Sequence, residues 1–135
     1  MPAAITFARY GACDVLIPTT VEMPEPGPGQ VRVRVRAVAV NPIDAKVRSG
    51  AMAAIMPVEF PHLPGWDVAG VVDAAGEGAA AAVGDEVFGV ASTGGYSEYA
   101  LLDRPVAKPA DVSWEEAAAM ITVARRRTGR WRTWA

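Results

Sequence analysis

The sequence predicts a mainly β domain, a barrel or sandwich of short strands with short helical turns and one longer helix near the end. Three observations predict it. Val31-Arg32-Val33-Arg34-Val35-Arg36-Ala37 alternates apolar and basic residues with the two-residue period of a strand that has one dry and one wet face. Glycine and proline, 13 and 11 of the 135 residues, cut the chain into short runs separated by turns. The strongest helix-start signal is Ser113-Trp114-Glu115-Glu116, a capping box leading into Ala117–Ala124.

Taken in order, Ala4 to Pro18 reads as a short strand, a turn at Gly11-Ala12 and a second short strand through Val15-Leu16-Ile17. Pro24-Glu25-Pro26-Gly27-Pro28-Gly29 forbids helix and central strand alike, and launches the Val31–Ala37 strand. Val31, Val33, Val35 and Ala37 are expected on one side. Arg32, Arg34 and Arg36 are expected on the other, as a solvated strand face rather than a phosphate-binding patch. Asn41-Pro42-Ile43-Asp44 reads as a turn, with Asp44 starting a short helical turn through Lys46-Val47-Arg48 that Gly50 closes. Residues 51–64, with three prolines, read as an irregular loop. Trp66–Asp73 follows as a strand broken at Gly70, and Gly84–Gly89 as a turn entering another strand. Gly94-Gly95-Tyr96-Ser97-Glu98-Tyr99-Ala100 continues the β pattern.

Composition bounds the function. A chain of this length suits one domain, and 51% hydrophobic against 21% charged residues supports a buried core. A net charge of −2 argues against a nucleic-acid partner, which requires clustered Lys and Arg. No apolar run approaches the roughly 20 residues that span a bilayer, and the N-terminus carries no signal-peptide pattern, so no membrane partner and a cytoplasmic setting are expected. Cys13 is the only cysteine, which rules out an internal disulfide and any multi-cysteine zinc site. It is expected to be a buried or partly buried small hydrophobe. His62, the only histidine, sits in the proline-fenced run Phe60-Pro61-His62-Leu63-Pro64 and reads as a structural or solvent-facing loop residue, not a catalytic base.

Four segments then line up. Asn41-Pro42-Ile43-Asp44, Gly65-Trp66-Asp67-Val68-Ala69-Gly70-Val71-Val72, Gly84-Asp85-Glu86-Val87-Phe88 and Gly94-Gly95-Tyr96-Ser97-Glu98-Tyr99 resemble, in order and spacing, segments of the quinone oxidoreductase branch of the medium-chain dehydrogenases/reductases. The resemblance covers residues 1 to about 124. It implies a GroES-like, partly open β-barrel with short helices and a C-terminal helix. It also implies hydride transfer from NADPH to a quinone- or enone-type small molecule, with the cofactor held between two domains. Asn41 and Trp66 stand where zinc-dependent relatives carry a Cys and a His ligand. Neither an amide nor an indole is a zinc ligand, so no zinc and no metal site are expected.

By the same resemblance the cleft between cofactor and substrate is lined by Asn41, Asp44, Val90 and Tyr96, with no residue assigned as catalytic. Asn41 is placed to hydrogen-bond near the nicotinamide or substrate carbonyl, though its turn chemistry needs no ligand. Asp44 leans toward a structural role and Asp67 toward anchoring the strand beneath the cleft. Some relatives place a tyrosine just after the pair matching Ser49-Gly50, where this chain has Ala51-Met52-Ala53. A tyrosine-dependent substrate contact is therefore in doubt.

No Gly-x-Gly-x-x-Gly turn occurs, so the cofactor-binding glycine motif and the Rossmann domain are expected to be absent. The chain is expected to be truncated and inactive alone, binding no NADPH by itself. The alternative is a non-catalytic partner-binding module or pseudoenzyme derived from the domain. Residues 125–135 hold five of the eleven arginines, two of the four tryptophans and no acid. They are expected to be an aberrant or disordered tail, such as shifted-frame coding would produce after residue 124. The rival is an Arg/Trp tail that binds an anionic surface. Self-association is expected through the cleft wall, bared of a covering domain.

Overall fold

Nine strands and helices arise from the punctuation just described, and the computed structural model describes them over residues 1–127, with side chains to residue 124. β1 (Ala3–Thr6) and β2 (Ile17–Thr20) pair antiparallel as a two-stranded sheet. The other strands are β3 (Val31–Ala39), β4 (Asp67–Ala75), β5 (Glu86–Val90), β6 (Tyr99–Leu102) and β7 (Val106–Ala107). They form one antiparallel sheet in the order β6-β3-β4-β5-β7. Two helices complete the fold, α1 (Pro42–Ser49) and α2 (Trp114–Arg127). The mainly β, GroES-like expectation holds. The sheet is open, but a single bridge between Ala91 and Leu102 curls the end of β5 onto β6.

β3 is the strand the alternation predicted, and Val31, Val33, Val68, Val72, Val87, Ala100 and Leu102 form the main core. The alternation does not run through to Ala37. The β3–β4 register shifts between Val35 and Ala37, which leaves Arg36 as an unpaired bulge residue. A one-residue bulge moves every later side chain to the opposite face. Val38 therefore joins Val31 and Val33, while Ala37 and Ala39 turn to the other face, against Ala69, Ala117 and Ala118 under α2. The bulge lets a single strand serve two layers.

The arginine face also differs from expectation at one position. Arg34 and Arg36 are exposed, but only 13% of the Arg32 side chain is. Its guanidinium donates twice to Asp73, through Nε at 2.9 Å and Nη2 at 3.2 Å, and Nη1 reaches the Pro24 carbonyl and Glu25. Arg32 ties the proline-rich turn to β4.

β4 runs unbroken through Gly70. A Cβ there would collide with the Arg34 carbonyl, so glycine lets β3 and β4 close up rather than interrupting them. Cys13 is exposed, contrary to the buried reading. It opens a 3-10 turn, Cys13–Val15, in which Val15 points inward, so the second short strand begins only at Ile17. Val15 joins Phe7 and Val47 in a second small core that takes in Ile43, Met52 and Trp66. His62 exchanges both backbone hydrogen bonds with Phe7, at 2.8 and 2.9 Å, and lays its ring against the Phe7 ring. That is the structural loop role its sequence suggested.

Ser113 and Glu116 cap α2 as a reciprocal pair, at 2.9 and 3.1 Å. The helix backbone continues past residue 124 to Arg127. Of the tail assigned to residues 125–135, residues 128–135 lie outside the described residues.

Candidate functional site

Extended backbone at Asn41 (φ −111°, ψ 157°) followed by Pro42 starts α1 without a loop, because proline at the first helical position supplies the required φ. The cap therefore lies at Asn41, three residues before the expected start at Asp44, which instead sits in the first turn of α1. The Asn41 N–H donates to Asp44 Oδ2 at 2.7 Å. Gly50 ends the helix with left-handed backbone (φ 84°).

Asp44 is only 6% exposed. Burial pushes its carboxyl above the ordinary range, and the nearby Asp67 adds to this, while backbone N–H groups of Asn41 and Gly65 pull the other way.

The Asn41 side chain also reaches beyond this cap. Its Nδ2 donates to Asp67 Oδ2 at 2.9 Å. Asp67, 2% exposed at the start of β4, also accepts from the Thr122 backbone N–H at 3.2 Å and from the Thr122 hydroxyl. One buried carboxylate thus joins the N-cap of α1, the start of β4 and the middle of α2. With Nδ2 committed to Asp67, the acceptor oxygen of Asn41 is held in one orientation.

Tyr96 stands on the other side of Asp44. With Leu16, Val40, Ala45, Arg48 and Pro64, these two residues line a small crevice of about 40 Å³, room for a water or two. Burial raises the Tyr96 phenol to about 12, with the Asp44 charge adding and Arg48 opposing. The ring lies against Gly65, whose φ of 89° suits glycine and where any Cβ would strike the ring. The Tyr96 N–H donates to the Pro64 carbonyl at 2.9 Å.

Of the expected cleft residues, Asn41, Asp44 and Tyr96 gather at the start of α1. Val90 does not line the crevice. It pairs with Asp67 across β4 and β5, and the adjacent Ala91 N–H donates to the Trp66 carbonyl at 2.6 Å. Sequence reasoning missed Thr122, the second partner of Asp67. A threonine in an otherwise alanine-rich helix was the available signal. It also missed Lys108, whose side chain is 6% exposed and donates to Glu86 and the Val112 carbonyl while lying over the Trp114 ring.

Metal and cofactor can be tested against these residues. Among the described residues no group of three or more His, Cys, Asp or Glu side chains converges. Asn41 spends its amide on Asp67, and Trp66 packs into the second core. For a dinucleotide pyrophosphate the fit fails. Both described helices start without a glycine-rich turn, at Asn41-Pro42 directly after β3 and at Ser113-Trp114. The glycines at 27 and 29 lead into β3 instead.

Residues 27–110 match the alcohol dehydrogenase GroES-like domain family. The chain belongs to that family. Within it, the GroES-like domain described here falls in the zinc-independent quinone oxidoreductase branch of the medium-chain dehydrogenases/reductases. It is 38% identical over 124 residues to a chloroplastic quinone-oxidoreductase homolog of Spinacia oleracea, covering 87% of this chain and 38% of that protein. A Pseudomonas syringae quinone oxidoreductase structure superposes with a TM-score of 0.84 at 33% identity, over 100% of this chain and 42% of that one. An Escherichia coli quinone oxidoreductase complexed with NADPH superposes at 0.78 with 26% identity, over 96% and 41%. The GroES-like domain thus spans well under half the length of these relatives. No helix among the described residues is long and apolar enough to cross a membrane.

Proposed function

We propose that this GroES-like domain supplies the substrate-side wall of an NADPH-dependent, zinc-independent reductase acting by hydride transfer on a quinone- or enone-type small molecule, and that it does not turn over alone. The observation that carries the reading is the Asn41–Asp67–Thr122 cluster beside Asp44 and Tyr96. It holds a hydrogen-bonding amide rigidly at the start of α1, within four segments that match quinone oxidoreductases in order. The reading takes residues 1–124 as the domain and Asn41, Asp44, Val90 and Tyr96 as its face toward cofactor and substrate. Nicotinamide chemistry belongs to the cofactor, and the protein contributes position and electrostatics. The Asn41 N–H not given to Asp67 would donate to a carbonyl, while Asp44 and Tyr96 shape the wall. A reducing compartment such as the cytosol suits the exposed, unbridged thiol of Cys13.

Titration with NADPH, followed by nicotinamide fluorescence, tests the reading. The chain alone is expected to show no saturation below millimolar cofactor. Adding the separately expressed cofactor-binding half of a quinone oxidoreductase is expected to yield NADPH-dependent reduction of 1,4-benzoquinone that Asn41→Ala weakens at least tenfold. Micromolar NADPH binding by the chain alone, or turnover indifferent to Asn41, would overturn it.

A further inference from the structure

Arg48 sits half-buried in the last turn of α1 and lines the crevice with Asp44 and Tyr96. It is held from two sides. The Gly11 N–H donates to the Arg48 carbonyl at 3.1 Å, and Arg48 Nε donates to the Gly11 carbonyl at 3.4 Å. The two Nη groups remain, the end of a planar fork that matches a carboxylate. Asp44, four residues earlier, is the usual helix partner for such an arginine. Its carboxyl is turned instead to the N–H groups of Asn41 and Gly65, and among the described residues no carboxylate pairs with Arg48. The Arg48 charge acts on the Tyr96 phenol, and Lys46 adds a second positive charge at this end of α1. Apolar side chains wall the rest of the crevice, and its volume of about 40 Å³ admits a group of a few heavy atoms but no aromatic ring.

We propose that this crevice is a carboxylate subsite, in which Arg48 pairs through its Nη groups with an acidic substituent of the substrate and the Tyr96 hydroxyl donates to the same group. A guanidinium takes a carboxylate through two parallel hydrogen bonds, which gives direction as well as attraction. Asn41 and Arg48 stand about 10 Å apart along α1 at 1.5 Å per residue. That spacing suits a single ring with a short acidic arm, its carbonyl at Asn41 and its carboxylate at Arg48. The molecule reduced at this wall is then an acidic quinone or enone, and a neutral one binds less well. The substrate assignment rests on the reductase reading above, whereas the subsite belongs to the chain alone.

Titration of the full chain with phenylacetate and with its neutral counterpart phenylacetamide, followed by NMR of the amide and Arg48 Nε–H signals, tests the subsite. Neither probe reacts with the exposed Cys13 thiol. Phenylacetate is expected to bind at least about fivefold tighter, moving the Arg48 Nε–H and the Ala45 and Tyr96 amides. Arg48→Met should abolish that preference. Tyr96→Phe, which keeps the ring against Gly65 and leaves Arg48 on Gly11, should weaken phenylacetate at least about twofold. Phenylacetate binding no tighter than phenylacetamide, or equally tight in an Arg48→Met chain folded by circular dichroism, overturns the proposal. The substrate assignment is read with the cofactor-binding half of a quinone oxidoreductase added, in a Cys13→Ser chain that lacks the thiol able to add to quinones. Carboxymethyl-1,4-benzoquinone should show a KM at least about fivefold below that of methyl-1,4-benzoquinone, with kcat little changed. Equal KM values would overturn the acidic-substrate assignment. No turnover with either quinone would instead count against the reductase reading, and the phenylacetate titration still decides the subsite.

Discussion

Replacing Asp67 with alanine should loosen α2 from the sheet and free the Asn41 side chain. Asp67 Oδ2 accepts from Asn41 Nδ2 and from both the N–H and the hydroxyl of Thr122, in a position only 2% exposed. Hydrogen bonds to a charged group contribute about 1.5–3 kcal/mol each. Part of that sum is recovered, because the variant no longer holds a carboxylate out of water, and the Thr122 hydroxyl can turn back to a helix carbonyl. A net loss of about 3 kcal/mol remains. For a domain of this size that corresponds to a melting temperature lower by roughly 10–15 °C. Thr122→Val, nearly the same shape without the hydroxyl, should cost about 1–2 kcal/mol. The two substitutions should be coupled by about 1 kcal/mol or more in a double-mutant cycle, since both remove one shared bond. Urea denaturation gives the free energies, and hydrogen exchange shows whether the α2 amides lose protection first. Thr122→Val costing less than about 0.3 kcal/mol, with no coupling to Asp67→Ala, would refute the idea that this carboxylate fastens the helix.

Three other outcomes follow from neighbouring groups. The Asp44 carboxyl is raised by burial, so the folded chain holds its proton more tightly than the unfolded one, and stability falls as pH rises from 3.8 through the raised value. Asp44→Asn should flatten that fall, measured as urea midpoints between pH 3.5 and 7; an unchanged profile would contradict the assignment. The Tyr96 phenol should stay protonated until about pH 12, so stability declines as pH rises from 10.0 through that value. Gly65→Ala should push the ring out and return its absorbance titration toward the ordinary phenol value, and a titration left at about 12 would show that the two residues are not in contact. Lys108→Met keeps the buried stem but strands the Val112 carbonyl and Glu86, and should cost about 1–2 kcal/mol in urea denaturation, where no measurable loss would count against the buried network.

Much of the site was legible because its signals are local. Asn41-Pro42-x-Asp44 announces a helix start through groups three residues apart, and only the role of Asn41 as the cap itself, one turn earlier than expected, needed the coordinates. Val31, Val33 and Val35 announce a half-buried strand by period alone. Ala37 was assigned to the wrong face because a bulge is a property of a strand pair, invisible in one strand. Arg32 was read as solvated because its partner, Asp73, lies 41 residues away. Cys13 was read as buried from the habit of its residue type, whereas the 3-10 turn sends Val15 inward in its place.

The order of turns, the alternation in β3 and the capping box of α2 determine by themselves a mainly β domain, and the four ordered segments carry its resemblance to the quinone oxidoreductase branch. Only the tertiary structure decided what Asp67 does. Its charge is buried where β4 begins, and it finds donors 26 and 55 residues away in Asn41 and Thr122. Pattern reading reaches as far as one strand or one turn of helix. A buried carboxylate must find its donors wherever the chain happens to return, and that return is a fact of packing.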